Sequence, residues 1–193
     1  GSMRWFDALR EGLRKRGWEE GRNLVLEPRW GAGAYDKLDD VATELVQIGV
    51  DAIVTDSTPS ALAAKRATQT IPIILGLAGD PVRAGLVVSL ARPGGNITGM
   101  SLMSPELSGK RLQLLQEIIP DVRRVAVLLR TDNPVHEIFW NEAQDAAAIL
   151  GLTLRSFGIR TAAELDVALR AAATWRAQAI FVFGDVVLES APC

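Results

Sequence analysis

The sequence predicts an α/β fold built on mostly parallel sheets, and three observations carry that expectation. Segments with a helical apolar period alternate with short apolar runs of strand length along most of the chain. That alternation makes βαβ units, whose crossovers set neighbouring strands parallel. The chain has 193 residues, 48% of them hydrophobic, enough for one substantial core or two modest ones.

The elements follow in order. From Arg4 to Arg16, Trp5, Phe6, Leu9 and Leu13 fall on one helical face, and Gly17 can end the helix. "NLVLEPRW" reads as a strand that Pro28 places at a sheet edge or ends early. Leu38, Val41, Ala42, Leu45 and Val46 stripe the next helix. "DAIVT" is an apolar run of the kind buried on both faces of a parallel sheet. Thr58 is expected to cap a helix from about Pro59 to Thr68, with Pro59 in its first turn. "IPIILGLA" is the next strand, followed by a helix from about Val82 to Ala91. Arg92-Pro93-Gly94-Gly95 then force a tight reversal into a short strand, Asn96 to Gly99. Ser104-Pro105 opens a helix striped by Leu112, Leu115, Ile118 and Ile119, which Pro120 stops. "RVAVLLR" is a strand, a helix runs from about Pro134 to Leu150 and ends at Gly151, and "LTLRSF" is a strand. "TAAE" at Thr161 to Glu164 is a capping box opening another helix, and "AQAIFVF" is the last strand. The chain thus opens on a helix and closes directly after a strand. It is expected to be a fragment, or to have a partner chain cover its last strand.

Composition excludes several function classes. The formal net charge is -2, from 21 basic and 23 acidic residues, so no global field draws the chain to nucleic acid or an anionic membrane. The basic cluster "LREGLRKRG" is followed by "WEEG" and reads as a solvated helix face. The single cysteine, Cys193, has no internal disulfide partner, and no metal-binding spacing is present. No apolar run reaches the ~18 to 20 residues that span a bilayer. "GSM" at the start reads as an expression remnant, with the native beginning expected upstream. The only histidine, His136, stands early in a helix beside Glu137 and is assigned a surface or capping role. "GAGAYD" lacks the spacing of a phosphate loop and reads as a turn into the helix near Tyr35. No G-x-S-x-G turn is present. Neither an enzyme nor a cofactor is expected. The five tryptophans are scattered and read as packing residues, with Trp30 a candidate cleft wall.

Open α/β sheets hold ligands outside the carboxyl ends of their strands. The segments that follow each strand are therefore the candidates. Ser57, Thr58 and Ser60 set hydroxyls at a helix N-terminus, a ready site for an anion such as a carboxylate. Asp80-Pro81, Ser101, Thr131-Asp132-Asn133-Pro134 and Gly184-Asp185 occupy the equivalent places after later strands. Each alone reads as a helix cap. Their recurrence on the ligand-holding edge points further: hydroxyls suit a carboxylate and Asp80 or Asp185 an amine, a pair that fits an amino-acid-like ligand.

"GLRKRGWEEGRNLVLEPRWGAGAYDKLDDVATELVQIGVDAIVT", "TPSALAAKRATQTIPIILGLAGDPVRAGLVVSLARPGGNITGMS" and "SPELSGKRLQLLQEIIPDVRRVAVLL" together resemble one family. It is the substrate-binding proteins of ABC transporters, of the tryptophan/tyrosine-binding type. The resemblance runs from about Phe6 to Phe183 and is most specific in "GDPVRAGLVVSLARPGGNITG". It implies a two-lobed periplasmic-binding fold of the first type, with a first lobe over residues 4–100, a partial second lobe over 104–193 and a hinge crossing at about 100–103. It also implies that Ser57, Thr58, Ser60 and Asp80 face the cleft from the first lobe, and Asn133 and Asp185 from the second. The expected function is extracytoplasmic solute binding for an ABC importer, with a permease subunit as partner and an aromatic amino acid as the family-level ligand. The alternative is a ligand-sensing domain of a receptor or regulator with the same fold. The strand that normally precedes "WFDALREGLRKRG" and the C-terminal part of the second lobe do not match. Each lobe is therefore expected to be incomplete, and the chain to cover its sheets by forming a homodimer.

Overall fold

A computed structural model describes residues 2–31, 33–102 and 107–185. The first half contains α1 (Ser2–Lys15), α2 (Leu38–Gln47), β1 (Ile53–Thr55), α3 (Thr58–Ala67), β2 (Ile73–Leu75) and β3 (Ile97–Gly99). The second contains α4 (Leu107–Ile118), β4 (Arg124–Arg130), α5 (Pro134–Leu150), β5 (Thr153–Ile159), α6 (Leu165–Thr174) and β6 (Ala179–Val182). Short 3-10 turns at Tyr35–Lys37 and Ala162–Glu164 lead into α2 and α6. The strands form two three-stranded parallel sheets, ordered β1-β2-β3 and β5-β4-β6. This is the α/β architecture the alternating pattern predicts. No helix among the described residues is long and apolar enough to cross a membrane.

Each sheet is set by where its apolar residues can go. In the first, Ile53, Ile73 and Ile97 share one cross-strand row. They bury against Ala61 and Ala64 of α3, with Leu45 and Val46 of α2 packed alongside. The next row, Val54, Ile74 and Thr98, points to the opposite face, and Val54 is 50% exposed. "DAIVT" is therefore buried on one face, not two, because α2 and α3 lie on the same side. In the second sheet, β4 is central and covered on both faces. Val125 and Val127 meet α4 and α5 through Leu112, Phe139 and Ala143. Ala126 and Leu128 meet α6 through Ala168 and Ala172.

Four local expectations differ from the structure. "NLVLEPRW" forms no strand: Leu24 makes an isolated bridge to Glu20, and Val25 is 78% exposed. A strand exists through its ladder, and apolar alternation cannot supply a neighbour. The expected Val82–Ala91 helix is one turn, with the Ala84 N–H donating to the Asp80 carbonyl at 3.0 Å. Gly85 then enters the left-handed region at φ +71° and stops it. Leu86 and Val87 turn into the first core. The cap of α3 is Ser57, one residue before Thr58. "TAAE" forms no capping box: the Thr161 side chain makes no cap bond, and Glu164 accepts from the Arg160 N–H at 2.8 Å, one residue before the cap.

At the end of the first sheet, Gly99 has φ +140°, and a Cβ there would stand 2.6 Å from the Leu75 nitrogen. Leaving that strand, Met100 donates to the Leu75 carbonyl at 2.9 Å and Leu102 to the Ala78 carbonyl at 2.7 Å. The crossing segment thus runs beside 78–79 as it leaves the sheet. Met103, the Ser104-Pro105 helix start and residues 186–193 with Cys193 lie outside the described residues. Replacing Gly99 by Ala forces a strained φ and a backbone collision together, so it should destabilise the fold by about 2 kcal/mol or more. Urea unfolding with an unchanged slope and a lower midpoint is the expected result.

Candidate functional site

The carboxyl ends of β1 and β4 each lead into a capped helix, and these two helix starts define the candidate site. At α3, Ser57 Oγ accepts from the Ser60 N–H at 3.4 Å, while Ser60 Oγ accepts from the Ser57 N–H at 3.2 Å. This reciprocal box satisfies two donors that a helix start leaves over. The two hydroxyl oxygens are 2.8 Å apart, and Ser60 Oγ is 3.3 Å from Asp56 Oδ1. Both serines are half-buried.

Thr58 is 3% exposed, and its hydroxyl engages the backbone instead. It accepts from the Gly79 N–H at 3.1 Å and lies 3.4 Å from the Gly79 carbonyl. Gly79 in turn closes on α5: a Cβ there would stand 3.0 Å from Phe139 Cζ and 3.1 Å from Val135 Cγ2. The chain Thr58–Gly79–Val135 therefore sets the N-terminus of α3 beside that of α5. Asp80 follows with φ +28°, and its carboxylate accepts from the Arg83 N–H at 2.9 Å. The Arg83 guanidinium then bridges to Glu142 on α5. Ser101 sits apart from this group, on a small cavity of about 40 Å³ beside Met100 and Leu75.

At α5, Asn133 caps the helix by accepting from the Val135 N–H at 3.2 Å. Its amide donates to Asp185 Oδ2 at 3.0 Å. The same oxygen accepts from the Tyr35 hydroxyl at 2.8 Å, and Asp185 has no exposed side-chain surface. The structure thus joins the sequence-predicted pair Asn133 and Asp185, and adds a tyrosine from the first half of the chain. It joins the third cap residue as well. The Arg130 guanidinium donates from Nε and Nη2 to the two Asp132 oxygens at 2.8 and 2.7 Å. Its Nη1 donates to the Gly33 carbonyl at 2.9 Å, and its carbon lies 3.9 Å from the Tyr35 ring centroid. Arg130 is 1% exposed.

His136 lies beneath this cluster and is 1% exposed, which corrects the surface role expected for it. Its Nδ1 accepts from the Arg130 N–H at 2.8 Å, which leaves the proton on Nε2, 3.3 Å from the Gly184 carbonyl. The burial is forced by position: the first turn of α5 covers the end of β4, where Phe139 and Phe183 close around the ring. Trp30 packs edge-to-face on Phe6 of α1, with centroids 5.6 Å apart, rather than on the cluster.

Charge states follow from burial and partners. Burial raises the Tyr35 phenol, and the Asp185 charge raises it further, so it stays a donor. Burial alone would raise the Asp132 carboxyl, but the bonds from Arg130 outweigh it and hold it below its ordinary value. Burial lowers His136 toward the neutral ring, with Asp185 opposing only in part. Among the described residues no buried side-chain nitrogen or oxygen lacks a partner, and no set of three or more His, Cys, Asp or Glu could hold a metal. A cavity of about 270 Å³ adjoins the cluster, walled by Arg130, Asn133, His136, Glu137 and Trp140. That is close to the lower bound for small-molecule sites.

Comparison with known proteins gives one consistent answer. Residues 2–191 match the family model described as ABC transporter substrate binding protein. A tyrosine-binding protein of Clostridioides difficile (strain R20291) is 32% identical over 158 residues, covering 81% of this chain and 45% of that protein. Two solved structures superpose closely. One is an ABC domain in complex with L-Trp from Streptococcus pneumonia, at TM-score 0.83 and 26% identity, covering 94% of this chain and 60% of the other. The second is a conserved domain protein from Vibrio cholerae O1 biovar eltor str. N16961, at TM-score 0.88 and 31% identity, covering 96% and 62%. The chain therefore spans less than two thirds of the length of each of these relatives.

Two measurements probe the cluster. Replacing Arg130 by Met leaves Asp132 and Asp185 without their cation in a buried setting, which should cost about 3 to 5 kcal/mol in urea unfolding. The pH response carries a definite sign. The unfolded chain protonates His136 near the ordinary value of about 6.5, while the folded chain resists. Stability contributed by the neutral ring is therefore full above that value and lost as pH falls below it. The melting temperature should drop between pH 7.5 and 5.5. In His136→Asn, whose carbonyl oxygen can still accept from the Arg130 N–H, the drop should be smaller.

Proposed function

The chain belongs to the ABC transporter substrate-binding protein family, and from that premise we propose that it binds an amino acid in a cleft between two lobes, 4–100 and 104–193. The family is one of binding proteins, not enzymes. The observation that carries the proposal is the meeting of two helix starts with complementary chemistry. Ser57 and Ser60 cap α3 with hydroxyls, and a helix N-terminus attracts a carboxylate. Asn133 caps α5 and holds Asp185, an acceptor for an ammonium group. Asp56 lies on the hydroxyl side, and Asp185 at the other end lies 3.7 Å from the Arg130 guanidinium. A simple anion meets the Asp56 carboxylate on the hydroxyl side, and an α-ammonium group beside the solute carboxylate offsets that repulsion.

An aromatic side chain is the favoured variant. One relative is described as tyrosine-binding and another was solved with L-Trp. In this reading Thr58 and Asp80 build the cleft rather than touch the solute, because their polar atoms hold Gly79 and Arg83. Ser101 belongs to the crossing at about 100–103. The protein works outside the cytoplasm and hands its solute to an ABC permease. It does so as a homodimer, in which a second copy covers the apolar row Val54 and Ile74, with Ile180 and Val182 of β6, which are 46% and 45% exposed.

Thermal shift against the twenty amino acids tests the solute. L-Tryptophan or L-tyrosine at 100 times its dissociation constant should stabilise the fold by about 2.7 kcal/mol. Tryptamine and 3-indolepropionate, each lacking one charged end, should bind at least tenfold more weakly. No shift with any amino acid would overturn the proposal. Sedimentation should show a species of twice the chain mass, and a monomer at micromolar concentration would remove the dimer.

A further inference from the structure

Resting on that solute-binding reading, we propose that Tyr35 is an internal competitor for the second-lobe end of the cleft: it ties the lobes together through Asp185 and Arg130, and an incoming solute must displace it. Three contacts carry this across the cleft, and all reach from 33–35 to the far lobe. The Tyr35 hydroxyl donates to Asp185 at 2.8 Å. The Tyr35 ring lies over the Arg130 guanidinium at 3.9 Å. The Gly33 carbonyl accepts from Arg130 at 2.9 Å. Together they present to the second lobe a hydroxyl donor and an aromatic face, two features of the solute class proposed above.

The carrier of Tyr35 suits such a role. It is a single 3-10 turn whose start, Ala34, offers no side-chain cap. Gly33 before it takes φ +78°, a conformation that glycine adopts without strain. A single turn of this kind can move without unfolding α2 behind it. The phenol keeps its proton, so it donates to Asp185 across the neutral range. An ammonium group makes a stronger bond to a carboxylate than a neutral phenol does, which gives the solute the advantage it needs. The solute then gains only the difference between its own contacts and those of Tyr35, so the affinity is set by this competition.

Tyr35→Phe isolates the effect, since it keeps the ring on Arg130 and removes only the donor to Asp185. Two measurements are required, with circular dichroism melts confirming that the variant folds. Small-angle scattering without added solute should give a larger radius of gyration for Tyr35→Phe than for the parent. Calorimetry with L-tryptophan should give about tenfold tighter binding by the variant. An unchanged radius of gyration overturns the tie between the lobes. Equal or weaker binding by the variant overturns the competition, and weaker binding would make Tyr35 a solute contact instead. If neither protein binds any amino acid, the solute-binding reading fails, and the scattering result alone decides whether Tyr35 ties the lobes.

Discussion

One buried positive charge organises this molecule. Arg130 ends the central strand of the second sheet and is 1% exposed, so its guanidinium is out of water. Taking such an ion out of water costs several kcal/mol unless its donors are met in good geometry. Asp132 meets two of them two residues later in the chain, which fixes the turn into α5. Gly33 meets a third from the other half of the sequence, and the Tyr35 ring covers the guanidinium. Even the backbone N–H of Arg130 is used, to hold the ring of His136. The strand end, the helix start and the far loop are therefore positioned by the needs of one side chain.

The parts of the fold that the sequence discloses are those whose causes are local. α5 has its bounds written in Pro134 and Gly151, because a proline suits a first turn and a left-handed glycine ends a last one. β4 is legible because a central parallel strand is apolar on both faces. Residues 23–30 mislead because alternation describes a strand's faces and says nothing about a neighbour to pair with. The 82–91 stretch misleads because one glycine in the left-handed region cancels a helical stripe. The site divides in the same way. Asn133 and Asp185 follow from their places after strands, and Ser57 from its place before a helix. Tyr35 and Arg130 do not, because their partnership spans 95 positions of sequence and no local pattern encodes it. The one clue is a charge, Arg130, directly after the apolar run 125–129.

The two halves are joined by contacts of different kinds. Gly79 is a steric joint: its missing side chain lets the first half approach Val135 and Phe139 of α5. The Arg130 and Tyr35 cluster is an electrostatic joint with its charges shielded from water. A junction that combines a tight steric fit with a buried polar cluster favours one relative placement of the halves over many, since interfaces of this kind are not softly deformable.

The third joint, the bridge from Arg83 to Glu142, differs in being open to solvent, with side chains 45% and 36% exposed. Mobile ions shield exposed charges over a Debye length of roughly 8 Å at physiological ionic strength, whereas buried pairs feel little of this. The exposed joint and the buried one therefore respond to separate conditions. Added salt weakens the Arg83–Glu142 contact and leaves the Arg130 cluster intact. Ionic strength is therefore a variable that acts on one joint between the halves and spares the other.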